Sequence, residues 1–425
     1  MNKVVDEGGS SRTVQSLRRD NRSRVLRHVL FGGPTTRAEI GAACGLSVGS
    51  VTNVVSGLIE EGLVEDAGSL PSSGGRRSAV LQARAAGAFT IGVDVGEEGV
   101  AAELFDLRLN RVDRQFARVD THVAPSPDSI APRITDAIRR LWSRHPDRWS
   151  SVVGVGMGLP GVVTTDDRGV QVLHAQSRGW PSTPVSEFLD LPGLEGLPLL
   201  ADNGASTLAA AEGAVGAARG SQRAIVALLG RGVGLGVLEH GQVAGGRGGS
   251  ATEWGHTKIA LDGRPCDCGG RGCVEAYIGG AAVLDRWREA GGVVSGHGWN
   301  ALGALIDAAT SGDVTARQVL DETIAIAGLA LGNLVNLYNP DRIVLGGWVG
   351  LRLMETHAGE ILAAVQHASL RQFAEQFTLQ GCAFGGDSVA LGAALLPLER
   401  LIEAPMAELR TTHARTARHT SKEMS

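Results

Sequence analysis

The chain has 425 residues, 43% hydrophobic and 20% charged; this length excludes a single small core, and its 60 glycines, interspersed with Val, Ile and Leu runs, exclude low-complexity disorder. Five cysteines cannot all pair, and three of them (Cys266, Cys268, Cys273) crowd into eight positions, which argues against a secreted disulfide framework and for a reducing cytoplasm. The net charge of −5 divides unevenly, +3 over residues 1–85 and −8 over the rest, so the basic end is the candidate nucleic-acid partner.

Residues 1–13 are polar and Gly/Ser-rich and read as a disordered N-terminus, and 401–425 read as a flexible tail. The opening MNKVVDEGGSS has acidic residues and no apolar segment, and the longest apolar stretch, Thr323 to Tyr338, is broken by Gly328, Gly332, Asn333 and Asn336. Neither an export signal nor a membrane span is expected, and a cytoplasmic, nucleoid-associated location follows.

Residues 14–85 read as a winged helix-turn-helix. Asp20 or Asn21 caps a first helix whose Val25, Leu26, Val29 and Leu30 share a face, and Gly32-Gly33-Pro34 stops it. Thr36 and Glu39 form a capping box for a second helix, Arg37 to Cys44, which Gly45 closes. Ser47 caps a third helix with Val51, Val54, Val55, Leu58 and Ile59 as its buried stripe. Gly49, Ser50, Thr52, Asn53 and Ser56 face outward. Leu63 to Glu65 reads as a strand, Ala67 to Gly75 as a loop and Ser78 to Leu81 as the return strand. Small hydroxyl and amide groups at Ser47, Gly49, Ser50, Thr52 and Asn53 fit a major groove, and Arg76-Arg77 at the wing tip suit phosphates or a narrow minor groove. The plainer alternative is a small helical domain with a polar surface and a basic hairpin.

From Phe89 the pattern changes. IGVDVG, GVAAELFDL and RVDRQFARV read as three short strands, followed by a helix around Ser129 to Ser143 and a buried strand VVGVGMG. The order recurs from Arg223: AIVALLG, VGLGVLEH, GQVAGG, a long apolar helix Asp321 to Tyr338 and the strand RIVLGG. The expected fold class is α/β, with a first lobe at 86–202 and a second at 203–400, the last helix returning to the first lobe.

This duplicated order resembles the actin-like ATPase and sugar kinase superfold. Within it, ATEWGH at 251–256 followed by CDCGGRGCVE at 266–275 resembles the ROK family (repressors, open reading frames, kinases). The resemblance runs from about residue 15 to 400, and a helix-turn-helix ahead of such a body is similar to the family's sugar-responsive repressors. It implies that Glu253, His256 and Glu275 contact sugar hydroxyls, with Asn203 and Gly161 as further sugar-side positions; a purely structural role for Glu253 and Glu275 stays open. Independently of the family, His256, Cys266, Cys268 and Cys273 offer one imidazole and three thiolates, the closed soft set of a structural Zn2+, one per chain.

The kinase chemistry departs from the family pattern. Family kinases carry Asp-x-Gly-Gly-Thr in the first hairpin, but Asp94-Val95-Gly96 is followed here by Glu97-Glu98. Each carboxylate ~5 Å from a triphosphate oxygen costs about 3 kcal/mol at an effective dielectric of about 20. The second phosphate turn reads Gly230-Arg231-Gly232, and the family's Asn-Asp pair falls on Asn203 and Gly204, leaving Asp202 as the nearby carboxylate. The leading expectation is a DNA-binding regulator, a repressor of carbohydrate-metabolism genes, whose catalytically inactive body senses a sugar or sugar derivative. The alternative is a sugar kinase with an accessory DNA-binding domain; a third is control by a protein partner with the sugar site vacant. A two-fold operator implies a homodimer or higher homo-oligomer.

Overall fold

The computed structural model describes residues 14–70, 78–119, 125–191, 196–246 and 252–405. The wing arginines Arg76 and Arg77, the segment 1–13 and the tail from 406 onward lie outside these ranges.

The N-terminal module is built on α1 (Val14–Gly32). Good helix formers such as Gln15, Leu17, Arg18 and Arg19 extend this helix through Asp20 and Asn21, so neither residue is its cap. After β1 (Thr35–Thr36) comes α2 (Arg37–Cys44). Its capping box forms, with the Glu39 carboxylate accepting the Thr36 N–H at 2.7 Å, and Gly45 ends it at φ 60°. The next helix, α3 (Val48–Glu60), follows at a bend of 112°, the crossing of a helix-turn-helix. Val51, Val55 and Leu58 are buried, whereas Ile59 is 39% exposed and leaves the expected stripe. A hairpin of β2 (Val64–Leu70) and β3 (Ser78–Ala83) completes the module, β1 pairing on the other side of β3. The outgoing strand reaches Leu70 where the sequence predicts a loop from Ala67. A bulge between Asp66 and Gly68, with Gly68 at φ 117°, lets the pairing continue.

The body has two lobes with one strand order. In the first, β4 (Phe89–Val95), β5 (Gly99–Asp106) and β6 (Arg111–Arg118) are antiparallel. The helix α4 (Pro127–Arg144) then leads to β7 (Val152–Leu159), parallel to β4. A small sheet of β8 (Val162–Thr165), β9 (Gln171–His174) and β10 (Thr183–Pro184) intervenes before β11 (Leu199–Asn203) joins β7 in parallel. The crossing helix α5 (Gly204–Ala214) leads to the second lobe. There β12 (Arg223–Leu229), β13 (Val233–Glu239) and β14 (Gln242–Val243) are antiparallel. The helices α6 (Glu275–Ile278), α7 (Gly280–Glu289), α8 (Gly298–Thr310) and α9 (Val314–Tyr338) follow. Next come β15 (Arg342–Gly346), α10 (Gly347–Ala368) and β16 (Thr378–Gly381). The sheets run β11-β7-β4-β5-β6 and β14-β13-β12-β15-β16, with matching parallel and antiparallel pairs. Long and apolar enough to cross a bilayer, α9 instead packs into the second core, where Gly328 and Gly332 let Ala364 and Ala368 of α10 approach.

The final helix, α11 (Ser388–Glu403), returns to the first lobe and joins all three units. A Cβ on Gly92 of β4 would collide with the Ala390 carbonyl, one on Gly156 of β7 with the Ala393 carbonyl, and one on Gly392 with Thr207 of α5. At its other end Leu395, Leu398, Leu401 and Ile402 share a core with Val25, Leu26 and Val29 of α1. Leu401 and Ile402 are fully buried, so the expected tail boundary at 401 is corrected: the apolar period of the helix carries through Glu403. Arg22 donates to the Leu401 and Ile402 carbonyls, both at 3.1 Å, and Ser23 Oγ to Ile402 O at 2.8 Å, satisfying the carbonyl end of α11. Arg27 pairs with Glu399.

This seating makes Gly156→Ala costly, by about 3 kcal/mol, because backbone rather than a flexible side chain must yield. Gly359→Ala, inside α10 with no heavy atom within 4 Å of the added carbon, should be neutral or stabilising by about 1 kcal/mol. Denaturant midpoints of the two variants check the contrast; a Gly156→Ala midpoint equal to the parent's contradicts it.

Candidate ligand cleft, metal centre and nucleic-acid face

The third helix presents the small polar face expected of a groove reader. Ser47 caps it by accepting the Ser50 N–H at 3.2 Å, and the Thr52 hydroxyl donates back to Val48 O at 2.8 Å, so Thr52 shows its methyl group as much as its oxygen. Ser47, Gly49, Thr52 and Asn53 are exposed and Ser50 is half-buried. Val48, 81% exposed at the first helical position, was not among the sequence candidates. An apolar side chain there is suited to a thymine methyl, and its place beside the cap was the signal.

The Cys loop folds back on itself through glycine. The Cys266 N–H donates to Gly270 O and the Gly269 N–H to Cys266 O, both at 2.9 Å, with Gly269 at φ 85° and Gly272 at φ 72°. A Cβ on Gly272 would collide with the Ala260 carbonyl. These turns bring the ligand atoms of His256, Cys266, Cys268 and Cys273 within 4.8 Å of one another, a spacing able to hold a metal ion. His256 Nδ1 faces the cluster, 3.7 Å from Cys266 Sγ, while Nε2 turns to Glu253 Oε2 at 3.9 Å. Lys258 Nζ lies 2.7 Å from Cys273 Sγ, placing a positive charge beside the cluster.

The sugar candidates fall into two groups. Glu253 and Glu275 stand with His256 at the edge of the His/Cys cluster. Burial raises the Glu253 carboxyl, an effect opposed by His256 and reinforced by Glu275. Glu275 Oε2 accepts the Val233 N–H at 2.9 Å, and a Cβ on Gly232 would come within 2.6 Å of it, so one oxygen is committed to the β12–β13 turn. Across the lobes, Asn203 Nδ2 donates to Gly161 O at 2.7 Å and its Oδ1 accepts the Ala205 N–H at 2.7 Å, capping α5 and leaving one amide hydrogen for a ligand. Gly161, at φ 132°, has no room for a Cβ, which would lie 2.6 Å from His174 O. Sequence reasoning missed Arg178, on the short turn Gln176–Arg178, whose electrostatic neighbours are Glu97, Arg231 and Glu275. No spacing signal could have found it, because tertiary folding alone brings it to the cleft.

The positions that depart from the kinase pattern are also defined. Gly204 is the first residue of α5, and the nearest atoms to an added Cβ are 3.9 to 4.0 Å away. Asp202 accepts the Asn203 N–H at 2.6 Å and lines a small pocket with Gln171 and Arg400 that none of the sugar candidates lines; burial pushes its carboxyl up to about 6. Burial, with Glu103 next, pushes the Asp94 carboxyl up to about 7, which weakens it as a partner for a cation near neutral pH. Glu97 reaches across to the second lobe, accepting the Arg231 N–H and, at 3.3 Å, the Trp348 Nε1–H.

Comparison with known proteins agrees with this architecture. The ROK family model matches residues 90–400. The chain is 26% identical over 390 residues to the xylose repressor of Bacillus spizizenii, covering 91% of this chain and 97% of that protein. It is 31% identical over 271 residues to the glucokinase of Halalkalibacterium halodurans, covering 61% and 80%. The repressor match therefore takes in part of the N-terminal module. The fold also superposes on a ROK family transcriptional regulator homologous to the E. coli MLC protein, with a TM-score of 0.75, 21% identity and coverage of 93% and 99%. With the family model spanning most of its length and the Cys cluster, duplicated lobes and cleft residues in one body, the chain belongs to the ROK family.

Proposed function

We propose that the chain is a DNA-binding transcriptional repressor of carbohydrate-metabolism genes, acting in the cytoplasm as a homodimer or higher homo-oligomer on operator DNA. In this reading its body binds a sugar or sugar derivative and does not phosphorylate it. The observation that carries the reading is the path of α11. Its first turn puts Val389 Cγ1 4.0 Å from a Cβ at Gly204, beside Asn203 in the cleft, and its last turn is held by Arg22 and Ser23 of the DNA module. A ligand that changes how the lobes close therefore acts on the element that orients the recognition helix. Kinase activity is disfavoured by the missing carboxylate at Gly204 and by the Glu97 carboxylate in the phosphate turn.

Sugar recognition falls to Glu253, His256 and Glu275 on one side and Asn203 and Gly161 on the other, with Arg178 at the rim. Carboxylates and an imidazole fixed in place accept and donate to a ring of hydroxyls without reorganising. DNA recognition falls to Ser47, Gly49, Ser50, Thr52 and Asn53, joined by Val48, with Arg76 and Arg77 supplying phosphate contacts. The metal is Zn2+, held by His256, Cys266, Cys268 and Cys273; four soft donors leave no open position, so its part is to fix the loop and the His256 ring that orient Glu253 and Glu275.

Elemental analysis should find one zinc per chain. Cys268→Ser should lower both metal content and melting temperature, and metal-free protein with an unchanged melting temperature contradicts a structural zinc. A panel of hexoses, pentoses, amino sugars and their phosphates should contain a member that weakens operator binding, with a hundredfold loss corresponding to about 2.7 kcal/mol of coupling. Glu253→Ala should abolish that response while operator affinity without sugar stays within about twofold of the parent. If no member alters affinity, or Glu253→Ala responds as the parent does, the sugar-sensor reading fails and a protein partner becomes the better candidate.

A further inference from the structure

One more cluster of charge lies where the lobes meet, between the β4–β5 turn of the first and the β12–β13 turn of the second. Glu97 projects from the first turn. Its Oε1 accepts the Arg231 backbone N–H, and both carboxylate oxygens receive the Trp348 Nε1–H at 3.3 Å. Both donors belong to the second lobe, so the carboxylate bonds across the cleft. The surroundings accommodate it closely. A Cβ on Gly230 would stand 3.2 Å from Glu97 Oε1, and the Trp348 ring rests against Gly280, where a Cβ would collide with it. The guanidiniums of Arg231 and Arg178 both favour the Glu97 anion. Glu98 makes a second approach, its Oε1 3.5 Å from the position a Cβ would take on Gly298 at the start of α8.

A backbone N–H and an indole N–H, flanked by two guanidiniums, are the donors that a protein offers to an oxyanion. We propose that this mouth is an anion site for phosphate-class oxyanions that the chain fills with its own Glu97, clasping the lobes without a nucleotide and keeping external phosphate groups out. Burial raises the Glu97 carboxyl and the Arg231 N–H, the Trp348 indole and the two guanidiniums oppose it, as for a partly enclosed ligand. The clasp shares Arg178 with the rim of the proposed sugar site, so it is tested with no sugar present.

The probe is inorganic pyrophosphate, titrated calorimetrically into the full-length parent, Glu97→Ala and Glu97→Gln, alongside amide hydrogen exchange over residues 229–233. Glu97→Ala empties the donors and removes the repelling charge; it should bind pyrophosphate at least about tenfold more tightly than the parent and exchange the turn amides at least about tenfold faster. Glu97→Gln keeps an acceptor of the same shape and should retain turn protection within about threefold of the parent while gaining a smaller pyrophosphate affinity. If the parent binds pyrophosphate as tightly as both variants, or if turn exchange in Glu97→Ala equals the parent's, the clasp is overturned. Neither experiment contains sugar or operator, so failure of the clasp is read separately from failure of the sugar-sensor reading.

Discussion

The structure depends on how closely α11 can lie on its neighbours. At Gly92 and Gly156 the helix backbone meets the sheet of the first lobe, and at Gly392 it meets α5, each time where a Cβ would collide with a carbonyl group. Contacts of this kind cannot be relieved by a rotamer change, so a shift in α5 or in the sheet moves α11 as a body. Because Leu395, Leu398, Leu401 and Ile402 then share a core with α1, the N-terminal module is docked on the two-lobed body and is not tethered by a loose linker. Arg219 adds a bond from the start of the second lobe, donating to Phe31 O at 2.6 Å.

The cleft divides its chemistry by lobe. The proposed hydroxyl-binding groups sit beside the cysteine cluster in the second lobe, where His256 turns one ring nitrogen to Cys266 and the other to Glu253. The first lobe contributes an amide, a glycine turn and Arg178, and its hairpin carries the glutamates that meet the second lobe. A carboxylate of the first lobe is thus held by N–H donors of the second. One of those donors is a fixed backbone amide, and the acceptor is partly buried.

Local signals in the sequence were sufficient for much of this. Thr36 with Glu39, Gly45 and Ser47 are start and stop signals that act within a few residues, and each forms as read. The repeated strand order was legible because alternation and glycine turns recur at matching places, and the Cys loop because its ligands are close in sequence. What was not legible was set by tertiary contact. The start of α1 lies upstream of Asp20, at Val14, because helix propensity outweighs a good capping residue. Leu401 and Ile402 looked like the start of a tail because their partners, Val25 and Leu26, are almost the whole chain away. The expected repulsion of nucleotide by Glu97 described half of its chemistry; the Arg231 and Trp348 donors appear only once the lobes are assembled.

The central claim is that α11 carries the state of the cleft to the DNA module. Arg22 is the residue through which it is tested most directly, because its guanidinium caps the last carbonyls of α11 and pairs with Glu61 just beyond α3. The measurement is the ratio of operator affinities without and with a saturating releasing sugar, in the parent and in Arg22→Met, with sugar affinity measured separately. The account predicts unchanged sugar affinity and a ratio reduced at least about tenfold, a loss of about 1.4 kcal/mol of coupling. A variant that binds sugar normally and keeps the parent's full ratio would contradict it.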